Sequence, residues 1–276
     1  MSAYKEFTKR LKLLFSKNPD LIVTTLSNIF TMRLIGNKTH GDLAEIAISE
    51  FINQFMYDFK SLHVGKDLYR AKSNEEDISV TNEITNEVIP VSLKAYGDGP
   101  LQLSTDKNSM LFPALQKLGT RISGSELQSL WLMPEFAGFG NINILPLIYD
   151  EKENKCNILV FDAERARQAV DYVILEDAGS GRKHPVFRFY DALDGYICEV
   201  RYGSATTNAL QRGLWTHTRN GLKYFDSLTG GWVSYSHNLT LVSLFSHALV
   251  STERGHTKAL EEIKADIEQI KRNAGF

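Results

Sequence analysis

A carboxylate, a hydroxyl and an amine stand at alternate positions on two neighbouring arms of this 276-residue chain. Asp77 and Ser79 alternate with Ile78 and Val80, and further on Ser92 and Lys94 alternate with Val91, Leu93 and Ala95. A period of two is that of a strand with one polar and one apolar face. The connection 81–88, carrying Asn and charged residues, predicts a hairpin or a near-neighbour pair, which brings Asp77 beside Ser92 and Lys94. A carboxylate can hold a divalent cation, and an ammonium beside it can orient and help deprotonate a water and stabilise charge on a phosphate. The second arm runs into Tyr96-Gly97-Asp98-Gly99-Pro100, whose glycines permit close backbone approach to a ligand. Gln102, Ser104 and Thr105 then offer donors for phosphate oxygens. The same alternation also describes a solvated edge hairpin.

The arrangement resembles the PD-(D/E)xK nuclease motif: an acid, a connection of variable length, and an acid-x-Lys strand. Here the tripeptide is Ser92-Leu93-Lys94, so serine stands where the second acid is usual. The run VSLKAYGDGPLQLST is similar to type II restriction endonucleases, several of which read Ser-x-Lys at this point. The resemblance implies a Mg²⁺-dependent endonuclease that cuts double-stranded DNA at a short specific sequence and leaves 5′-phosphate ends. It further implies a homodimer paired functionally with a cognate DNA methyltransferase. In that family an N-terminal helix often supplies a glutamate to the metal, and Glu45 in His40-Gly41-Asp42-Leu43-Ala44-Glu45 matches that role, with Glu50 second. Asp77 and Glu45 would hold the metal, Lys94 would act on the water, and Ser92 would replace the second acid. Some serine-containing members recruit a carboxylate about twelve residues downstream, so Asp106 competes with Glu45. Glu45 read without the resemblance is equally a glutamate favoured by the helix dipole.

The elements that must position these groups follow from periodicity. Phe7, Leu11, Leu14 and Phe15 predict a helix over 4–16, ended by Asn18-Pro19, and a second apolar segment over 21–35 stops at Gly36. Thr39 and Asp42 make a capping box for a helix over 42–59. On its mostly apolar circumference Glu45 faces the sheet, where an unpaired carboxylate is costly. A strand is expected around 68–71, ahead of the central pair. Further expectations are a helix over 107–118 kinked or delayed by Pro113, strands over 142–148 and 156–161, and an Asp162-capped helix over 163–175. Ser123-Gly124-Ser125 and Gly138-Phe139-Gly140 read as loop punctuation. Hairpins are expected over 186–202 and 222–235, with helices over 239–250 and 257–274. The fold class is therefore α/β: a mixed central sheet flanked by helices, restriction-endonuclease-like, with β-hairpin additions for DNA recognition. One domain suffices, with a catalytic core at 39–175, recognition elements at 182–237 and C-terminal helices at 238–276.

Composition narrows the function classes. With 43% apolar residues the chain can bury a substantial core, and a net charge of −2 argues against a purely electrostatic nucleic-acid binder. Between 182 and 223, however, seven basic residues face three acids. Within that stretch Arg201, Asn208, Gln211, Arg212, Thr216, His217 and Arg219 are the types that pair with base edges and phosphates, although a helix cap and solvated loop is an equal reading. The two cysteines, Cys156 and Cys198, lack metal spacing and read as buried, inert thiols. No apolar run is long enough to span a bilayer and the first residues are amphipathic, so no membrane association and a cytoplasmic location are expected. A structure-specific nuclease such as a junction resolvase, and a non-catalytic DNA-binding protein on a nuclease fold, are the rival functions.

Overall fold

A computed structural model describes residues 2–35, 39–64, 76–104, 111–179, 182–202, 213–219, 222–249 and 255–273. Three helices open the chain: α1 (Ala3–Lys17), α2 (Pro19–Ile35) and α3 (His40–Phe55). In α1 the four-residue spacing of Phe7, Leu11 and Phe15 makes one buried stripe. The expected capping box begins α3: Thr39 Oγ1 accepts from the Asp42 N–H and Asp42 Oδ2 from the Thr39 N–H. This helix stops four residues short of the sequence expectation. Phe59 turns instead into β1 (Phe59–His63), where its ring packs edge-on against Phe7 at 5.5 Å. An apolar residue at that spacing satisfies either period, and the tertiary contact decides it.

The remaining strands of the described residues are β2 (Ile78–Asn82), β3 (Val88–Tyr96), β4 (Pro100–Ser104), β5 (Arg121–Ser123), β6 (Ile144–Asp150), β7 (Lys155–Phe161), β8 (Tyr172–Glu176), β9 (Val186–Tyr190), β10 (Tyr196–Arg201), β11 (Gly213–His217), β12 (Phe225–Ser227) and β13 (Val233–Ser234). The other helices are α4 (Leu111–Leu118), α5 (Gly124–Leu130), α6 (Ala163–Ala169), α7 (Leu239–Leu249) and α8 (Gly255–Asn273). Seven strands form a mixed sheet in the order β1-β2-β3-β6-β7-β12, with β13 also on β7. Only the β3–β6 pairing in it is parallel. Six strands form a second, antiparallel sheet in the order β4-β11-β10-β9-β8-β5.

Strand alternation divides the core in two. Leu145, Leu147, Cys156 and Ile158 join the core made with α1–α3, whereas Ile144, Ile148, Leu159 and Phe161 join the core shared with the second sheet and α4–α6. The first sheet is thus covered by helices on one face and by the second sheet and its helices on the other.

Several expectations are corrected. The helix capped by Asp162 ends at Ala169, and Tyr172–Glu176, rich in β-branched and aromatic residues, is a strand between β5 and β9. Residues 124–130 and 134–141 are helical, α-type and 3₁₀ respectively, rather than loop. The segments expected to form a hairpin over 222–235 do not pair with each other: Leu222–Tyr224 is a 3₁₀ turn, and β12 and β13 each pair with β7. The expected strand at 68–71 and residues 105–110 lie outside the described residues. Pro113 falls in the first turn of α4, where it interrupts no helical bond. Both cysteines are buried and free. No helix among the described residues is long and apolar enough to cross a membrane.

Candidate active site

A polar stripe on α3 seats that helix against the edge strand β1. Glu45, Ser49 and Asn53 recur every four residues, so they share one helical face. Asn53 donates from Nδ2 to the Ser61 carbonyl (3.0 Å) and accepts at Oδ1 from the Ser61 N–H (2.7 Å), standing in for a neighbouring strand. Ser49 Oγ bonds to Ser61 Oγ at 3.0 Å, and one turn further towards the helix start Glu45 Oε2 meets His63 Nε2 at 3.1 Å. The stripe thereby places the Glu45 carboxylate at the end of β1, beside the start of β2.

Asp77 is positioned where the β2–β3 pairing ends. β2 pairs with β3 only from Thr81↔Val88 to Ile78↔Val91, while β3 continues on its other side against β6 from Ser92 to Tyr96. Beyond Val91 no strand of the described residues lies on the β2 edge of β3. Asp77 takes that place: its N–H bonds the Val91 carbonyl at 3.1 Å, its carbonyl accepts from the Val64 N–H at 3.0 Å, and its Oδ2 accepts from the Leu93 N–H at 2.7 Å. The same oxygen accepts from Ser92 Oγ at 2.9 Å and lies 3.6 Å from Lys94 Nζ. Both side chains of the ion pair are largely covered, 21% exposed for Lys94 and 13% for Asp77. Asp77, Ser92 and Lys94 are brought together as the sequence spacing predicts. The connection closes through Asn86 at φ 58°, a left-handed conformation that asparagine tolerates.

Glu45 completes the group. Burial raises its pKa above the ordinary carboxylate value; the hydrogen bond from His63 opposes this, and the negative charge of Asp77 adds to it. Two carboxylates close enough for one to feel the charge of the other favour a cation near them. Among the described residues no group of three or more His, Cys, Asp or Glu side chains is arranged to hold a metal ion. A two-carboxylate set suits Mg²⁺, which keeps several waters and commonly takes one or two carboxylates plus substrate oxygens. Glu50 is exposed on α3, outside this hydrogen-bonded group. Asp106 lies outside the described residues. Sequence reasoning missed His63, Ser49, Asn53 and Ser61; the signal available was the four-residue polar spacing on an otherwise apolar helix.

The residues assigned to DNA contact are scattered. Thr216 is buried at 1% exposure, and its hydroxyl donates to the Ile197 carbonyl within the second sheet. Gln102 is buried on β4 against β11 at 4% exposure, so neither side chain is presented to a phosphate or a base. Ser104 is half-buried at the end of β4. Arg201 is committed to Glu199 (Nε to Oε1, 2.9 Å) and lies over the Trp215 ring at 3.9 Å. His217 Nδ1 accepts from the Arg219 N–H at 3.1 Å, and Arg219 pairs through both Nε and Nη2 with Asp98. Thr105, Asn208, Gln211 and Arg212 lie outside the described residues. The basic excess of 182–223 is substantially neutralised by its surroundings: Arg182 and Arg188 meet Glu176, Arg188 and Arg201 meet Glu199, Arg219 meets Asp98, and Lys223 meets Asp191. Gly99 has φ +138°, and its turn is stitched to Thr218, whose N–H and hydroxyl both donate to the Gly99 carbonyl; that turn accounts for this glycine without a ligand. Asp98, in the turn that leaves β3, is four residues after Lys94 in sequence and holds Arg219. Comparisons with protein-family models, curated proteins and solved structures returned no match.

Proposed function

We propose that this protein is a Mg²⁺-dependent endonuclease that hydrolyses phosphodiesters of double-stranded DNA at a short specific sequence, leaving 5′-phosphate ends, in the manner of type II restriction endonucleases. The observation that carries the reading is the convergence of Asp77, Ser92 and Lys94 where the β2–β3 pairing ends, with Glu45 of α3 near enough to feel the Asp77 charge. The restriction-endonuclease-like character of the fold, recognition by added hairpins, a homodimer matched to a palindromic site, cytoplasmic action and pairing with a methyltransferase belong to this proposal.

In this mechanism Glu45 and Asp77 hold the metal, which when bound lowers the pKa of a water and neutralises charge gathering on the phosphate. Lys94 orients the attacking water, assists loss of its proton and stabilises the developing negative charge. Ser92 takes no proton; its hydroxyl and the Leu93 N–H fix the Asp77 carboxylate in one orientation. His63 does the same for Glu45. Arg219, exposed and held by Asp98, is the described recognition candidate open to a duplex backbone.

The burial of Gln102 and Thr216 favours a second reading, a structure-specific nuclease, which needs basic surface but little base-reading polarity. Digestion of several plasmids of known sequence with Mg²⁺ separates the two. Discrete fragments with a common terminal sequence support site-specific cleavage; preferential cutting of branched substrates with no discrete plasmid bands supports the second.

A further inference from the structure

Helix α8 is 19 residues long and packs on α7, which has 11. Leu260, Ile263, Ile267 and Ile270 follow one another in its sequence at spacings of three, four and three, the a and d positions of two heptads. Ile267 is 38% and Ile270 40% exposed, so the outer half of that stripe is open to solvent. Around it the helix is polar and of mixed sign, with four acids and three bases over 261–272. A surface of that balance attracts neither a phosphate backbone nor an anionic lipid surface, both of which call for clustered lysine and arginine. A helix carrying a matching stripe fits it.

We propose that α8 is a self-association helix whose apolar stripe packs in parallel on the same stripe of a second copy of this chain. The charges beside the stripe select both the occupant and the direction. With Leu260 and Ile267 at a and Ile263 and Ile270 at d, Lys264 and Lys271 fall at e and Asp266 at g. In a parallel pair each g position faces the following e position of the other helix, so Asp266 meets Lys271 of the second copy, and two-fold symmetry repeats the contact. An antiparallel pair would set e against e and g against g, lysine facing lysine and aspartate facing aspartate. Lys271 Nζ already meets Glu268 at 2.9 Å, but both side chains are more than half exposed, and such a surface pair is weak enough to share its lysine. Isoleucine at both a and d also admits further copies to the same seam. The seam supplies a contact for the homodimer of the proposed nuclease, yet it stands on α8 alone.

The test is sedimentation equilibrium of the full chain at micromolar concentration, without metal or DNA. The native protein should show at least twice the 31.2 kDa of one chain. Ile267→Glu combined with Ile270→Glu puts charge into the seam and should raise the dissociation constant about a hundred-fold or more. Both positions are exposed in the single chain, so circular dichroism should report an unchanged fold. Lys271→Glu alone should weaken association about ten-fold, and adding Asp266→Lys to it should restore the native value. A native protein that keeps the mass of one chain up to about 100 µM overturns the seam. An oligomer that the double isoleucine variant leaves unchanged also overturns it and moves the homodimer to another surface. No loss in Lys271→Glu, or a loss that Asp266→Lys does not restore, overturns the parallel direction. No cleavage enters this measurement, so its failure is distinguishable from failure of the nuclease reading.

Discussion

Replacing Lys94 by methionine keeps the apolar stem and removes the charge, which separates its contribution to folding from its contribution to chemistry. At 3.6 Å from Asp77 Oδ2 the ammonium attracts the carboxylate by about 5 kcal/mol at an effective dielectric of about 20. That figure is gross, because folding removes both charges from water. Leaving a covered acceptor short of a partner costs about 1–3 kcal/mol, and Asp77 keeps two donors, Ser92 Oγ and the Leu93 N–H, so the lower end applies. Lys94→Met should therefore unfold in urea within about 1–2 kcal/mol of the native protein. Its effect on cleavage is of another order, since losing a group aimed at transition-state charge costs about 3–4 kcal/mol, or two to three decades in rate. Single-turnover cleavage in saturating Mg²⁺, alongside the urea titration, reads both numbers. A variant that cuts within three-fold of native refutes the assignment of Lys94 to the reacting phosphate, and one that loses rate only in proportion to unfolding reduces Lys94 to an ion-pair partner.

The raised pKa of Glu45 carries a sign. A carboxyl whose folded pKa exceeds its unfolded value stabilises the fold when protonated, and that contribution is lost as pH rises through the folded pKa. Glu45→Gln should accordingly be more stable than native in metal-free buffer at pH 7–8, with the advantage gone by about pH 4, while losing most activity; a variant that is less stable at pH 8 contradicts the burial argument. Of the two candidate acids, Glu45→Gln should be far more damaging to cleavage than Asp106→Asn, and the reverse ranking would transfer the ligand role to Asp106. Burial pushes the Cys156 thiol up to about 12 and the Cys198 thiol well above its usual value, so neither should react with a thiol reagent at pH 8 until urea unfolds the chain. Thr39→Ala removes one side of the capping box and should cost about 1 kcal/mol, lowering the thermal midpoint measured by circular dichroism.

The β2–β3 pair and its three polar groups were legible because strand alternation is strict there and one face is buried, which fixes register. The capping box of α3 was legible for the same local reason. What was not legible depended on contacts distant in sequence. Thr216 looked like a base reader because nothing local shows that its hydroxyl meets Ile197 under a second sheet. The cations of 182–223 looked available because some of their carboxylates, Glu176 and Asp98, lie outside that stretch. The Asp162 cap predicts a helix running on to 175, whereas pairing with β5 and β9 determines the conformation of Tyr172–Glu176. A lone histidine such as His63 has no spacing to mark it, and its role shows only in the contact with Glu45.

The central claim is that Asp77 and its neighbours cut DNA with a divalent ion. The direct measurement is incubation of plasmid with native protein and Asp77→Ala, purified in parallel, each in Mg²⁺ and in EDTA, followed by ligation of the products. Cleavage by the native protein in Mg²⁺ alone, giving ends that ligate without kinase treatment and at least a hundred-fold slower for Asp77→Ala, is the predicted result. No cleavage by the folded native protein, or cleavage that Asp77→Ala or EDTA leaves unchanged, would contradict it.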